Sequence, residues 1–221
     1  MNILEGKGLQ YSYENKKRVL RGINIQMEQG KMYAILGPSG CGKTTLLSLL
    51  GGLDSPTSGQ ILYQGEDIAK TGLANHRRNH VAFIFQSYNL IDYLTPMENV
   101  ALTAKQQPLP ILEQLGLTVE EARRNVLKLS GGQQRVAIAR ALASDAQIIL
   151  ADEPTGNLDE DTAAEITAIL KDSAHQAGKC VVIVTHSNEL AKEADVVMLL
   201  RKGELQISDS SELSVRKNRK K

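Results

Sequence analysis

The chain has 221 residues, 42% of them hydrophobic, enough to bury a full core in one large domain or a domain with a subdomain. Lys and Arg number 26 against 25 Asp and Glu, a near-neutral balance that offers no global attraction to nucleic acid or to an acidic surface. No apolar run reaches the roughly 18 residues of a membrane span, and the first residues lack a basic region followed by an apolar core, so a cytoplasmic chain that does not itself cross a membrane is expected.

The amino-terminal third alternates like a β-rich layer, with strands over 8–13, 22–28, 31–36 and 59–63 and turns at Gln29-Gly30 and at 55–59. The apolar stretch 32–36 runs directly into Gly37, Pro38, Ser39, Gly40, Cys41, Gly42, Lys43 and Thr44, and an apolar helical pattern starts at Thr45. This is a phosphate-binding loop in its required setting, after a strand and before a helix. Its glycines let the backbone aim N–H groups at phosphate oxygens, and the helix N-terminus adds partial positive charge. Lys43 is expected to reach the β and γ phosphates, and the Thr44 hydroxyl to ligate Mg²⁺.

Further along, 80–85 reads as a strand. Residues 96–124 carry Ala, Leu, Glu and Arg at helical spacing, broken by Pro108 and Pro110, and read as a small helical insert. From 147 onward the pattern is strand, helix, strand, over 148–151, about 160–176 and 179–185, a crossover in a mostly parallel sheet. The first of these strands ends in Asp152 and Glu153. Beside a phosphate loop, Asp152 is placed to hold Mg²⁺ and Glu153 to polarise an attacking water. Cys180 lies in an apolar run and reads as a core residue, and Cys41 needs only to be small; the two cysteines form neither a metal pattern nor a disulfide framework. Residues 195–200 and 204–207 close as a hairpin over Lys202-Gly203, and the basic end, 215–221, is either a solvated terminus or weakly attracted to anionic lipid.

The run Leu129-Ser130-Gly131-Gly132-Gln133-Gln134-Arg135, leading into a helix over 136–143, resembles the signature of the ATP-binding cassette (ABC) family. The physical reading agrees, because a serine and two glycines at a helix start form a second anion site without a lysine. The resemblance spans about residues 9–207 and implies an α/β phosphate-loop NTPase core with a mostly parallel sheet, an antiparallel β layer and a helical subdomain at about 87–145. The cassette domain is then 1–208, with a polar tail over 209–221.

By the same resemblance Tyr13 stacks on adenine, with Tyr11, on the same strand face, as the alternative. Thr45 joins the phosphate site, Gln86 contacts Mg²⁺ and the attacking water, and His186 contacts the γ phosphate. Ser130, Gly131, Gly132, Gln133 and Asp159 then serve the nucleotide bound on a second copy. The implied assembly is an ATP-dependent head-to-tail homodimer on the inner face of the cell membrane, hydrolysing ATP with Mg²⁺ to drive a separate multi-span permease, with no nucleic acid partner. The segments 50–59 and 151–159 look like the subgroup serving lipoprotein release, macrolide export and antimicrobial-peptide resistance; a soluble, non-transport cassette ATPase is the alternative. Two departures stand out. The stretch from Gln86 to Ser130 is short for the family, and the signature lacks one residue before Arg135-Val136, so the helix is expected to keep its core register and pass the strain to Gly132, Gln133 and Gln134.

Overall fold

A computed structural model of the chain describes residues 2–13, 18–105, 107–129 and 132–207. Two sheets form its frame. The first is antiparallel, with β1 (Asn2–Ser12) between β2 (Arg18–Glu28) and β4 (Ser58–Tyr63), and β5 (Glu66–Asp67) at the edge. The second has six strands in the order β10 (Glu204–Ile207), β9 (Val196–Arg201), β3 (Met32–Leu36), β8 (Cys180–Thr185), β7 (Ile148–Asp152) and β6 (Val81–Ile84). All its pairings are parallel except the β9–β10 hairpin, which turns at Lys202 and Gly203, both at positive φ.

Every residue of β3, β7 and β8 is buried, as a parallel sheet covered on both faces requires. On one face Ile35, Leu150 and Val182 pack with Leu46, Leu49 and Leu50 of α1 (Lys43–Leu50), and through them with the antiparallel sheet. On the other, Ile149, Ala151 and Ile183 meet Val136 and Ile138 of α7 (Gly132–Leu142) and Ile166 and Leu170 of α8 (Glu160–His175). Each such aliphatic side chain contributes roughly 2 kcal/mol by leaving water.

The remaining helices are α2 (Ile68–Thr71), α3 (Leu73–Asn79), α4 (Pro96–Ala101), α5 (Pro108–Gln114), α6 (Val119–Ala122) and α9 (Asn188–Lys192). In the insert, α4 and α6 both start with reciprocal capping boxes, Thr95 with Glu98 and Thr118 with Glu121. The prolines there do not break a helix, as their spacing suggests. Pro108 opens α5 and Pro110 lies in its first turn, where backbone N–H groups lack intrahelical partners in any case. A second correction concerns β1, which begins at Asn2 and not at Gly8. Its register against β2 shifts between Gly6 and Leu9, an irregularity that interrupts the alternation read from sequence.

In α7, Val136, Ala137, Ile138 and Ala139 are fully buried and Leu142 half-buried, so the helix presents its apolar face to the core. Ser130, Gly131 and the tail over 209–221 lie outside the described residues.

Candidate active site

Strand β3 delivers the phosphate loop at its carboxyl end, and the loop turns into α1 through Gly42. That residue has φ of 105°, and a Cβ there would approach the Val19 side chain to 2.9 Å. Only glycine fits such a conformation and approach. Lys43, 9% exposed, folds its Nζ back on the loop, donating to the carbonyl of Gly37 at 2.7 Å and of Pro38 at 3.4 Å. The ammonium is thereby held inside the arc of Gly37 to Thr44, where a phosphate would meet it.

The Thr44 hydroxyl donates to Asp152 Oδ2 at 2.8 Å, joining the loop to the end of β7, two strands away. Burial pushes the Asp152 carboxyl above its usual range; the Thr44 bond and Lys43 oppose this, and Glu153 adds to it. A carboxylate made uncomfortable by burial and aimed at a hydroxyl suits a divalent cation. Among the described residues no group of three His, Cys, Asp or Glu side chains could hold a metal. A Mg²⁺ ion at Thr44 and Asp152 would complete its shell from phosphate and water, the habit of that ion.

Glu153 leaves the strand with φ of 47°, and this left-handed step turns its side chain toward the end of β8. There the Thr185 hydroxyl donates to Oε2 at 2.8 Å, and the His186 backbone N–H to the same oxygen at 3.4 Å. His186 Nδ1 lies 2.8 Å from Oε1, within hydrogen-bond reach of the carboxyl oxygen. The carboxylate is nearly buried while the His186 side chain is 73% exposed, so the ring can still reach a ligand. Sequence reasoning read Glu153 from the strand end and His186 from a resemblance without joining the two, and missed Thr185, whose signal is slight: a hydroxyl at the last position of an otherwise apolar strand.

Tyr13 is 55% exposed and stands over the start of α1, its hydroxyl 3.3 Å from Thr45 Oγ1. Tyr11 contacts it edge-on, with ring centroids 5.1 Å apart, but its own phenol donates to Asp54. That bond, with burial, pushes the Tyr11 phenol up to about 12. Of the two aromatics, Tyr13 is the more exposed. It lines a cleft of about 560 Å³ with the loop residues 40–45, Arg18, Arg21 and Lys202, three cations that sequence reasoning did not single out.

Gln86 is exposed in the turn after β6 and, among the described residues, forms no hydrogen bond with the Glu153 group. Gln133 is half-buried and donates to the Val126 carbonyl at 3.4 Å, while buried Gln134 donates from Nε2 to the carbonyls of Glu153, at 3.4 Å, and Pro154. Gly132 starts α7 and is buried. Asp159 caps α8, accepting from the Thr162 N–H at 2.9 Å and hydroxyl at 2.8 Å, which hold its carboxyl below the usual range.

A family model described as "ABC transporter" matches residues 20–156. An uncharacterised ABC transporter ATP-binding protein of Bacillus subtilis, YclH, is 44% identical over 222 residues, covering 95% of this chain and 98% of that protein. The macrolide export ATP-binding/permease protein MacB 2 of Aeromonas hydrophila is 40% identical over 221 residues, covering 92% of this chain, which spans only 34% of MacB 2. Among solved structures, the dimeric MJ0796, a bacterial ABC transporter cassette, aligns with a TM-score of 0.86 at 36% identity, covering 92% of this chain and 96% of that one. Its post-hydrolysis dimer bound to ADP and Pi aligns at 0.85 and 34% identity, covering 93% and 98%.

Proposed function

Because the chain belongs to the ABC transporter family, as the ATP-binding and ATP-hydrolysing subunit of a transporter, we propose that it couples hydrolysis to the movement of a separate multi-span permease, in export. The observation that carries the catalytic reading is the Thr44–Asp152 bond at 2.8 Å, which brings phosphate loop and acidic strand end together one residue before Glu153. The MacB relative, in which ATP-binding and permease parts share one chain by its name, favours transport over a soluble non-transport ATPase. The chain would sit at the inner membrane face through that permease; among the described residues no helix is long and apolar enough to cross a membrane.

In this reading ATP lies with its base on Tyr13 and its phosphates along Gly37 to Thr45, and the Lys43 ammonium exchanges the carbonyls of Gly37 and Pro38 for β and γ oxygens. Mg²⁺, when held by Thr44 and Asp152 and, by the family resemblance, Gln86, would neutralise charge building on the phosphates. Glu153 accepts a proton from the attacking water, whose oxygen bonds to the γ phosphorus as the bond to the β–γ bridging oxygen breaks. Thr185 and His186 hold the carboxylate aimed, and His186 meets the γ phosphate with its exposed ring.

Two copies assemble head to tail. Ser130, Gly131, Gly132, Gln133 and Asp159 of one then close over the nucleotide of the other, so ATP binding draws the pair together and hydrolysis releases it. The test is Glu153→Gln, which keeps the shape and removes the base. It should bind ATP, lose turnover by roughly 10²- to 10⁴-fold, and accumulate as a dimer in sizing experiments with ATP and Mg²⁺. Turnover at the wild-type rate, or a monomer at saturating nucleotide, overturns the reading.

A further inference from the structure

Two residues after Gln86 the backbone adopts a conformation its side chain disfavours. Tyr88 has φ of 63° and Asn89 of 48°. Asparagine tolerates the left-handed region, a bulky tyrosine does not, and such strain persists only where the surroundings over-determine it. Arg140 of α7 supplies one constraint, its guanidinium donating to the Tyr88 carbonyl at 2.9 Å and the Asn89 carbonyl at 2.6 Å. The turn supplies another, from the Tyr88 N–H to the Phe85 carbonyl at 3.0 Å.

The strained step sends the Tyr88 ring across to the loop that follows Glu153, where its hydroxyl accepts from Asn157 Nδ2 at 2.9 Å. Among the described residues this is the one side-chain hydrogen bond between the turn after β6 and residues 153–159. Helix α7 already grips both segments, the first through Arg140 and the second through Gln134. The phenol closes the triangle. It does so in solvent-accessible surroundings, where a hydrogen bond adds little to stability, so strained backbone spent on reaching it points to a role in geometry.

We propose that Tyr88 is a positioning residue for hydrolysis: its hydroxyl, held by Asn157, ties the segment bearing Gln86 to the loop that carries Glu153 toward Asp159, so that the two shift together. This rests on the assignment of Glu153 as the base. Displacing the Gln86 turn by a partner would then be felt at the base and at the α8 cap through this breakable contact as well as through α7.

The test uses the full chain with Tyr88→Phe, Asn157→Ala and the double variant, bracketed by wild type and Glu153→Gln. Tyr88→Phe should lower kcat roughly three- to tenfold, the worth of one hydrogen bond, with KM and melting temperature unchanged. Amide hydrogen exchange over 155–159 should quicken by a similar factor. Asn157→Ala should match it, and the double variant should be no worse than the weaker single. Multiplied losses in the double variant, a KM change with kcat retained, or wild-type exchange in Tyr88→Phe overturns the proposal. If instead wild type and Glu153→Gln turn over alike, the assignment of Glu153 fails, and the exchange rates still decide whether Tyr88 holds the loop.

Discussion

Acidification should loosen this protein through one buried imidazole. His76 in α3 is fully buried; its Nε2 lies 3.1 Å from the Leu50 carbonyl, at the last residue of α1, and its Nδ1 3.2 Å from His80 Nδ1. A carbonyl only accepts, so His76 carries its proton on Nε2 and takes the His80 Nδ1–H at its other nitrogen. A second proton on His76 would set donor against donor. Burial lowers its pKa from 6.5 to about 4, against the Leu50 bond, with His80 and Arg77 deepening the shift. The unfolded chain binds the proton more readily, so this stabilisation is whole above pH 6.5 and drains away as pH falls toward 4. At about 1.4 kcal/mol per pH unit the full loss is about 3 kcal/mol, of which about 2 kcal/mol is gone by pH 5. Urea denaturation followed by circular dichroism at pH 7.5 and 5.0 measures it. His76→Gln, which keeps a donor for Leu50 and an acceptor for His80, should be less stable at pH 7.5 yet lose far less on acidification, leaving only the smaller part from His80, which burial also lowers. Wild-type stability that is level between the two pH values, or an equal loss in His76→Gln, would refute the reasoning.

Lys43→Ala should weaken ATP binding by roughly tenfold to hundredfold, since a charge-assisted partner of the phosphates is removed; a nucleotide titration of the folded variant checks it, and unchanged affinity removes Lys43 from its role. Among the described residues Gln134 Oε1 and Arg135 Nε, just after the signature, are buried without hydrogen-bond partners, each at a cost of about 1–3 kcal/mol. Inserting one glutamine after Gln134 should therefore raise ATP-driven dimerisation and turnover while monomer affinity for ATP stays constant; lower activity or a lower melting temperature would make the short form a native adaptation.

His186 was singled out only through the resemblance, whereas the phosphate loop and the acidic end of β7 were legible from sequence because each is local, a buried strand and then the polar residues at its carboxyl end. The hairpin at Lys202-Gly203 was legible for the same reason. What escaped depends on partners distant in the chain. Nothing in the polar run of α3 announces that His76 faces the Leu50 carbonyl 26 residues earlier, and Tyr88 meets Asn157 across 69. Pro108 and Pro110 misled because proline stops a helix in its interior but starts one in its first turn.

The pairing of β7 with β8 runs without a shift from Ile148↔Cys180 to Asp152↔Val184. A single inserted or deleted residue in β7 would bring Ala151 or Glu153 opposite Thr44, putting a methyl or a longer side chain where the Asp152 carboxylate now accepts from the Thr44 hydroxyl. It would also send alternate side chains to the wrong face of a strand buried on both sides. Variation in β7 is thereby confined to substitution. The connection leading into Pro108, which opens a short helix seated on the core through Leu112, can change length without altering how Thr44 meets Asp152.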